Sequence, residues 1–317
     1  MRENDFLNWL SKTVPGHANV PVGVGDDMAG VRLESVGNLA LLKIDQALDQ
    51  VHFDLREHSP RQAGTKAVNR CLSDCAAMAC WPAAVMVAVA LPKAADEKLA
   101  RELFLGCQEA AGKFDCPIVG GDTAIWDQRL AITVAALGRV DGGGRPVLRS
   151  GAKAGDAICV TGALGGSILG RHLSFVPRIE LALALTKRAH VHAMMDLSDG
   201  LAQDLPRMCA RSGVGAMVAP GQLPISEDAY TLAERDGIPA GLHALADGED
   251  YELLFTVPES ELPKLFGHPM DRSFVGVGGD VPITRIGTIT AETGLYLLGP
   301  SDEKLPWPRA GWEHRGA

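Results

Sequence analysis

The chain has 317 residues, enough for about two domains that each bury a hydrophobic core. Its net charge of -9 and the absence of a lysine- or arginine-rich run argue against a nucleic-acid partner held by phosphate neutralisation. No stretch reaches the apolar length of a membrane span, which argues against a membrane partner. The seven cysteines include no CxxC pair, and no signal peptide is evident, so we expect reduced thiols and a cytoplasmic location.

Two adjacent carboxylates lie near the N-terminus in Gly25-Asp26-Asp27. Like charges side by side repel, so the pair favours a bound cation, although glycine and aspartate also form ordinary exposed turns. Carboxylate oxygens with scarcely any nearby histidine or cysteine suit Mg²⁺. Further aspartates recur in settings of small residues, at Asp45, Asp74, Asp122 and Asp199.

The first elements of the chain place two of these acids. Residues 39–42 are predicted to form a buried strand that delivers Asp45 at its end, where α/β proteins place chemistry. A helix from 61 to about 78 would carry Asp74 on its inner face, which is costly unless the carboxylate is paired or binds a metal. A histidine beside a phenylalanine, as at His52, is more often a packed or surface residue than a ligand contact.

A phosphate-binding segment is predicted after the next two elements. The apolar run 83–91 predicts a central strand, and 96–113 predicts a helix. A short strand at 117–119 then opens into Gly120-Gly121-Asp122-Thr123. Residues without Cβ would let backbone amides approach a phosphate while Asp122 holds its Mg²⁺, although this string alone is common in turns.

The glycine-rich segment 141–146 gives the best boundary signal in the sequence, just after a predicted strand at 130–139. We therefore expect two domains, covering residues 1–145 and 146–317. Arg149, close to this join, could clamp a phosphate bidentately or could be a solvated linker charge.

The second half contains another acidic turn at a helix start. The strand 194–197 runs into Ser198-Asp199-Gly200, followed by a helix through Arg211. A serine or aspartate in this position is foremost a helix cap, and the same helix end favours anions and their metal.

Four acids occur within residues 247–252, next to a predicted buried strand. This concentration is more than routine, with a solvated edge as the alternative. Strands at 283–289 and 295–298 are expected to close the sheet. In the tail, Trp307 and Trp312 are candidates for core anchors or for stacking on a flat heteroaromatic ligand.

Eight short motifs follow one another along nearly the whole chain. They are Gly-Asp-Asp at 25–27, Asp45 with Val-His-Phe at 51–53, Leu-Ser-Asp-x-Ala-Ala-Met at 72–78, Gly-Gly-Asp-Thr at 120–123, Leu-Arg-Ser-Gly-Ala-Lys at 148–153, Asp-Leu-Ser-Asp-Gly-Leu at 196–201, Gly-Glu-Asp-Tyr-Glu-Leu at 248–253 and Gly-Trp-x-His at 311–314. Each is weak alone. In this order they resemble the thiamine-monophosphate kinase family, within the wider group of ATP-binding proteins related to aminoimidazole ribonucleotide synthetase.

The resemblance implies an α/β (α+β) fold of two domains. The N-terminal domain would have a mixed sheet, bind ATP and Mg²⁺ and pair with its twin in a homodimer, and the C-terminal α/β domain would complete the substrate cleft. It implies Mg²⁺ ligands at Asp27, Asp45, Asp74, Asp122, Asp196 and Asp199. It implies ATP contacts from Gly121, Asp122, Arg149 and Ser198, and thiamine monophosphate contacts from His52, Glu249 and Trp312.

The expected reaction is transfer of the ATP γ-phosphoryl group to thiamine monophosphate. The acceptor is already an anion, so no catalytic base is expected and catalysis would come from alignment and Mg²⁺. Lys43 and Ile44 stand where the family usually has two hydroxyl residues that help to hold metal. This departure predicts at least one ion fewer, with the Lys43 ammonium in its place. It also keeps open a related kinase with another acceptor, or a nucleotide-binding protein without turnover.

Overall fold

The computed structural model describes residues 13–18, 40–140, 145–265, 281–308 and 310–311. The predicted metal ligand Asp27 and the predicted substrate contact Trp312 lie outside these residues. None of the helices described there is both long and apolar enough to cross a membrane. The described residues form two compact units: the first unit contains 13–18, 40–75, 80–140, 145 and 173–176, and the second unit contains 76–79, 146–172, 177–265, 281–308 and 310–311.

The first unit is built on a four-stranded mixed sheet. Its strands are β1 (Ala40–Leu48), β2 (Trp81–Pro92), β3 (Ile118–Trp126) and β4 (Ala131–Arg139), in the order β1-β4-β2-β3. Strand β2 pairs parallel with β3, whereas the β1–β4 and β2–β4 pairs are antiparallel. The predicted central strand is confirmed, because β2 lies inside the sheet.

Within the described part of the first unit, two helices lie beside this sheet, α1 (Pro60–Ala77) and α2 (Glu97–Gly112). Both were predicted from their apolar spacing and are confirmed. Helix α2 begins where Asp96 caps it, with the side chain of Asp96 accepting a hydrogen bond from the N–H of Leu99 at 2.8 Å.

The prediction of a buried strand that ends before Asp45 is wrong. Strand β1 continues through Asp45 to Leu48, and Leu42 and Ile44 are 82% and 67% exposed. Among the described strands, β1 lies at one edge of the sheet, and alternate residues along it are exposed. The run of apolar residues concealed this alternation, because here the exposed positions are apolar as well.

The predicted short strand at 117–119 is present, but the prediction that it ends before Gly120-Gly121-Asp122 is wrong. Strand β3 runs through all three residues at the edge of the sheet. A Cβ on Gly121 would lie 1.8 Å from the backbone oxygen of Val87 on β2. Gly121 is therefore required by the close approach of two strand backbones.

The second unit contains a seven-stranded mixed sheet. Its strands are β5 (Asp156–Thr161), β6 (Ala193–Asp196), β7 (Gly215–Val218), β8 (Leu253–Pro258), β9 (Ile283–Thr290), β10 (Leu295–Leu298) and β11 (Lys304–Pro306). The order is β11-β10-β7-β9-β5-β8-β6. Strand β9 therefore lies in the middle of the sheet, and the expectation that it closes the sheet is wrong.

Six α-helices are described after the first unit's sheet. They are α3 (Arg171–Ser174), α4 (Ile179–Arg188), α5 (Leu201–Ser212), α6 (Glu227–Asp236), α7 (Ala240–Ala246) and α8 (Leu262–Leu265). The apolar residues of α5, including Leu205, belong to one buried cluster with Val160 and Leu254 of the sheet. Trp307 packs against this cluster and donates a hydrogen bond from Nε1 to the backbone oxygen of Ala202 at 2.9 Å. This contact supports the core-anchor interpretation for Trp307.

Helices α1 and α2 approach closely where each carries a glycine. A Cβ on Gly106 would lie 2.0 Å from the backbone oxygen of Arg61, and one on Gly64 would lie 2.1 Å from that of Leu103. We expect Gly106→Ala to lower the free energy of unfolding by about 1–3 kcal/mol through overpacking, measured by urea denaturation. Gly112→Ala, at the end of α2 with no atom within 4 Å of its Cβ, is the control and should be neutral or slightly stabilising. Equal effects of the two substitutions would contradict this account of the crossing.

Candidate active site

Asp45 and Asp74, two of the predicted metal ligands, lie on facing elements of the first unit and both contact protein cations. Lys43 and Asp45 are two residues apart on β1 and share a face, and Arg70 and Asp74 are one turn apart on α1. Lys43 Nζ lies 2.9 Å from Asp74 Oδ2, and Arg70 Nη2 lies 3.7 Å from Asp45 Oδ1. Two carboxylates and two cations therefore alternate between the strand and the helix.

Asp122 lies away from this cluster within the same unit. On β3, Asp122 pairs with Ala88 of β2. Ala88 pairs in turn with Thr133 of β4, and Thr133 pairs with Gln46 of β1, so these residues form one row across the sheet. Residues in one such row share a face of the sheet, so Asp122 is on the face of Gln46 and opposite to the face of Asp45. Strands β1 and β3 are opposite edges, about 14 Å apart by strand spacing.

Asp122 and Gly121 are both exposed on the edge strand. Within the described residues, no lysine or arginine forms an ion pair with Asp122. Across that same part of the chain, no group of three or more histidine, cysteine, aspartate or glutamate side chains is placed to hold a metal ion. The first unit thus brings together Asp45 and Asp74 but not Asp122.

His52, the predicted substrate contact of the first unit, is buried. Its Nδ1 accepts a hydrogen bond from the N–H of Leu48 at 3.0 Å, which requires the tautomer protonated at Nε2. Its backbone oxygen accepts a hydrogen bond from Nζ of the buried Lys66. These contacts match the packed interpretation, and the substrate contact stays a prediction.

Two predicted motifs of the second unit lie side by side. Asp196 at the end of β6 is in register with Leu253 at the start of β8. Beyond these strands the backbones remain hydrogen-bonded: the N–H of Tyr251 donates to Leu197 O at 2.8 Å, and the N–H of Glu249 donates to Ser198 O at 2.7 Å. The predicted site residues Asp196, Ser198, Asp199 and Glu249 therefore lie on adjacent backbone segments.

The turn at Ser198-Asp199 is fixed by hydrogen bonds to a side chain in the first turn of the following helix, α5. Gly200 is the N-cap of α5 and makes no side-chain cap bond, so the expectation that Ser198 or Asp199 caps the helix is wrong. Instead, Oδ2 of the buried Asp204 accepts hydrogen bonds from the N–H groups of Ser198 and Asp199 at 3.1 and 3.0 Å. Arg207 donates from Nη1 to the carboxylates of both Asp204 and Asp199. Burial raises the pKa of Asp204 to about 6.

Glu249 is fixed on an unusual stretch of backbone. Glu249 and Tyr251 both have left-handed φ values, 52° and 51°, which non-glycine residues seldom adopt and which occur often at functional sites. The buried His172 places Nδ1 3.3 Å from Glu249 Oε2, and the Tyr251 hydroxyl donates to Glu249 Oε1 at 3.3 Å. The carboxylate of Glu249 is thus oriented by two side chains.

Two of the other acids in segment 247–252 are buried, so the solvated-edge alternative is wrong for them. Asp250 accepts hydrogen bonds from the N–H of Gly165 at 2.9 Å and from Arg171 Nη2 at 2.9 Å. The buried Glu252 pairs with Arg178. These acids hold the second unit's loops together, which explains their concentration in the sequence.

The pH dependence of stability should report on Asp250. Burial raises the pKa of Asp250 to about 7, although Arg171 and the N–H of Gly165 favour the ionised form. The unfolded chain releases this proton near pH 4, so between about pH 4 and 7 the folded state binds more protons. The free energy of unfolding should therefore fall as pH rises through this window and level off above it.

We expect Asp250→Asn to make this slope shallower by the contribution of Asp250, on the order of a few kcal/mol, and to leave the smaller contribution of Asp204, in urea unfolding measured from pH 4.5 to 8. Glu292→Gln is the control, because the Glu292 side chain is 87% exposed, and it should keep the wild-type slope. A parallel pH profile for wild type and Asp250→Asn would show that Asp250 titrates normally.

Several residues that organise the second unit's loops were missed by the sequence predictions. The role of Asp204 could have been predicted, because it is an acid in the first turn of a helix that follows a turn of small residues. No local sequence pattern indicates the roles of Arg171 and His172. Arg149 is exposed, and its backbone oxygen accepts a hydrogen bond from Ser212 Oγ at 3.4 Å. Gly311 approaches the same turn, since its Cβ would lie 3.0 Å from Asp199 O.

Comparisons with known proteins agree across the chain. Residues 25–140 match the family model AIR synthase related protein, N-terminal domain, and residues 159–298 match AIR synthase related protein, C-terminal domain. Thiamine-monophosphate kinase of Rhodopirellula baltica is 40% identical over 300 residues, covering 93% of this chain and 91% of the relative. That of Aquifex aeolicus is 30% identical over 332 residues, covering 98% and 97%.

Solved structures show the same similarity. The thiamine-monophosphate kinase of Stenotrophomonas maltophilia K279a has a TM-score of 0.74 at 30% identity, covering 92% of this chain and 94% of that one. AaThiL complexed with AMPPCP and TMP has a TM-score of 0.73 at 25% identity, covering 99% of each chain. The hydrogenase maturation protein HypE of E. coli, at 20% identity and a TM-score of 0.74, shares the fold.

Proposed function

This chain belongs to the thiamine-monophosphate kinase family of AIR synthase related proteins, and we propose that it transfers the γ-phosphoryl group of ATP to thiamine monophosphate. The products are thiamine diphosphate and ADP, so the enzyme is a phosphotransferase with a phosphate acceptor. The observation that carries the proposal is the likeness over 99% of the chain to AaThiL, which is complexed with AMPPCP and TMP. The 40% identity to a kinase of the same name supports it independently.

The chemistry needs alignment more than a protein base. The acceptor phosphate has a second pKa of about 6, so it is already an anionic nucleophile near neutral pH. Phosphoryl transfer then depends on positioning and on stabilising charge. Ser198, on the turn held by Asp204, and the exposed Arg149 are proposed to contact ATP. Gly121, on the exposed edge strand, offers its backbone for the same purpose.

The acceptor carries a positive thiazolium ring. Glu249 is proposed to face it, because its carboxylate is oriented by His172 and Tyr251 and remains partly accessible, with a side chain 26% exposed. Opposite charge at a fixed position favours the cationic ring over neutral heterocycles. His52 and Trp312 complete the proposed substrate contacts.

Mg²⁺ fits some of the predicted ligands better than others. Asp122 offers an exposed carboxylate, and Asp196 and Asp199 flank the end of β6, so their oxygens suit a hard cation. We assign Mg²⁺ binding to these three, with Asp27 as a further proposed ligand. When bound, Mg²⁺ shields the negative charge of the phosphates. Asp199 also contacts Arg207, but the Arg207 side chain is 43% exposed and is shared with Asp204. Asp45 fits less well, because its partner Arg70 is only 15% exposed and is anchored on β1 as well.

A homodimer is proposed from the open face of the first unit's sheet. Ile44 on β1 and Met86 on β2 occupy one register row and are 67% and 50% exposed, with Leu42 on the same face 82% exposed. Exposed apolar side chains that share a face favour an interface with a second copy. We assign dimerisation and ATP binding to residues 1–145 and completion of the substrate site to residues 146–317. We also propose that the protein is located in the cytoplasm. Sedimentation equilibrium should give the mass of two chains.

The decisive experiment is an assay of the purified full chain with ATP, Mg²⁺ and thiamine monophosphate. We expect thiamine diphosphate and ADP in equal amounts by chromatography, and no ADP when the acceptor is omitted. A folded, Mg²⁺-saturated enzyme that makes no diphosphate would remove the proposal. In that case, calorimetric ATP binding without consumption would favour a nucleotide-binding protein, and ADP formed with another phosphorylated heterocycle would favour a related kinase.

A further inference from the structure

The two ion pairs between β1 and α1 form a compact group of charges, which we call the β1–α1 charge cluster. Its members are Lys43, Asp45, Arg70 and Asp74. Lys43 pairs with Asp74 at 2.9 Å and Arg70 with Asp45 at 3.7 Å. All four side chains are at most 36% exposed, with Arg70 the most buried at 15%. The charge cluster is therefore partly buried, and an uncompensated charge there costs more free energy than on an open surface.

Among the described residues, the four side chains of this cluster are neutral in sum without any bound ion. Two cations offset two carboxylates, so a divalent ion would add two positive charges that these four side chains do not compensate. Mg²⁺ also needs ligand oxygens at about 2.0–2.1 Å in octahedral geometry and usually keeps several waters. The Lys43 ammonium lies within hydrogen-bonding distance of Asp74 Oδ2. It therefore stands beside the oxygen that a bound ion would have to approach.

Backbone contacts fix the second pair. Arg70 Nη1 donates to the backbone oxygen of Gln46 at 3.0 Å, and Asp45 Oδ1 accepts from the N–H of Gln46 at 3.0 Å. The Arg70 guanidinium thus has an anchor on β1 besides the carboxylate of Asp45. An arginine held in this way keeps its charge at every accessible pH and is not readily displaced by an ion.

We propose that Lys43 is a resident cation that takes the place of a bound metal ion at Asp45 and Asp74. The two carboxylates of the charge cluster are then structural partners of Lys43 and Arg70. The metal ions of the enzyme are held by the other aspartates. This inference rests on the proposed Mg²⁺-dependent function, and it concerns only how many ions bind and where.

The test counts bound Mn²⁺, used as a paramagnetic probe for Mg²⁺, by electron paramagnetic resonance of free Mn²⁺ titrated with the full chain. Lys43→Gln should bind one more Mn²⁺ per chain than the wild type, because it exposes two carboxylates without their cation. Lys43→Arg keeps the charge and should match the wild type. The additional site should disappear in the double variant Lys43→Gln/Asp74→Asn.

A second variant decides the matter even where Lys43→Gln does not fold. Asp74→Asn in the wild-type background should leave the number of bound Mn²⁺ unchanged, since Asp74 holds no ion. Loss of one Mn²⁺ in Asp74→Asn, or equal binding by Lys43→Gln and wild type, would overturn the proposal. Because ion counting involves no turnover, its result is distinguishable from a failure of the kinase assay.

Discussion

Replacing Arg178 by methionine is expected to lower the free energy of unfolding by about 3–5 kcal/mol. Arg178 forms a two-pronged contact with Glu252, with Nε donating to Oε2 at 2.8 Å and Nη2 donating to Oε1. Thr161 Oγ1 donates to the same carboxylate at 2.7 Å and accepts from the N–H of Leu253 at 2.8 Å. Glu252 is buried, so the substitution leaves a carboxylate without its cation inside the protein.

The backbone opposite the carboxylate is adapted to it. A Cβ on Gly162, whose φ is +61°, would lie 2.1 Å from Glu252 Oε1. Glycine at this position therefore provides the space that the Glu252 carboxylate occupies. The Glu252 carboxylate is therefore packed closely against the backbone just after β5.

Urea unfolding of three variants tests this expectation. Arg285→Met is the matched control, because Arg285 pairs with Glu259 at 3.2 Å with side chains 34% and 54% exposed, and it should cost at most about 1 kcal/mol. The double variant Arg178→Met/Glu252→Met should be more stable than Arg178→Met, since no charge is left stranded. If Arg178→Met costs no more than Arg285→Met, the buried pair contributes little and the argument is wrong.

The sequence carried most of the fold because several independent signals agreed. Apolar spacing predicted α1 and α2, and the runs around β2, β6 and β8 predicted strands, all of which are present. The order of the motifs predicted the two-domain α/β family fold, which the matches at 25–140 and 159–298 confirm. Local pattern and family-scale order thus pointed to one architecture.

The failures at β1 and β3 have a common physical cause. A short apolar run does not tell which of its faces is covered, and Leu42 and Ile44 are apolar although exposed. Likewise, Gly120-Gly121 reads as a loop because glycine is common in turns, whereas Gly121 is required by the backbone of a neighbouring strand. In both cases, tertiary neighbours decide the structure, and these are absent from a local reading of the sequence.

The candidate site was predictable in its acids and not in their partners. The carboxylates at 247–252 were evident as a cluster, yet their cations Arg171 and Arg178 lie more than 70 residues away in sequence. Without those cations, buried structural acids and ligand-binding acids look alike. The geometry separates them: Asp250 and Glu252 hold loops together, while Glu249 keeps an accessible carboxylate.

Asp122→Asn is expected to lower kcat/KM for ATP by about 100-fold, equivalent to roughly 3 kcal/mol of transition-state stabilisation. Asp122 is exposed on β3 beside Gly121, and it is proposed to hold Mg²⁺ against the phosphates of ATP. The amide keeps the size of the side chain but removes the charge, so the loss should come from the metal and not from the fold. Steady-state kinetics at varied ATP and Mg²⁺ measure it.

Asp127→Asn is the control for Asp122→Asn, because Asp127 is also exposed and follows directly after β3. It should leave kcat/KM unchanged, and both variants should unfold at the same urea concentration as the wild type, since neither carboxylate forms an ion pair among the described residues. Saturating Mg²⁺ should restore part of the activity of Asp122→Asn if the remaining ligands still bind the ion weakly. Activity of Asp122→Asn within a few-fold of Asp127→Asn would show that Asp122 holds no ion needed for the reaction, and the metal assignment of the first unit would then fall to Asp27.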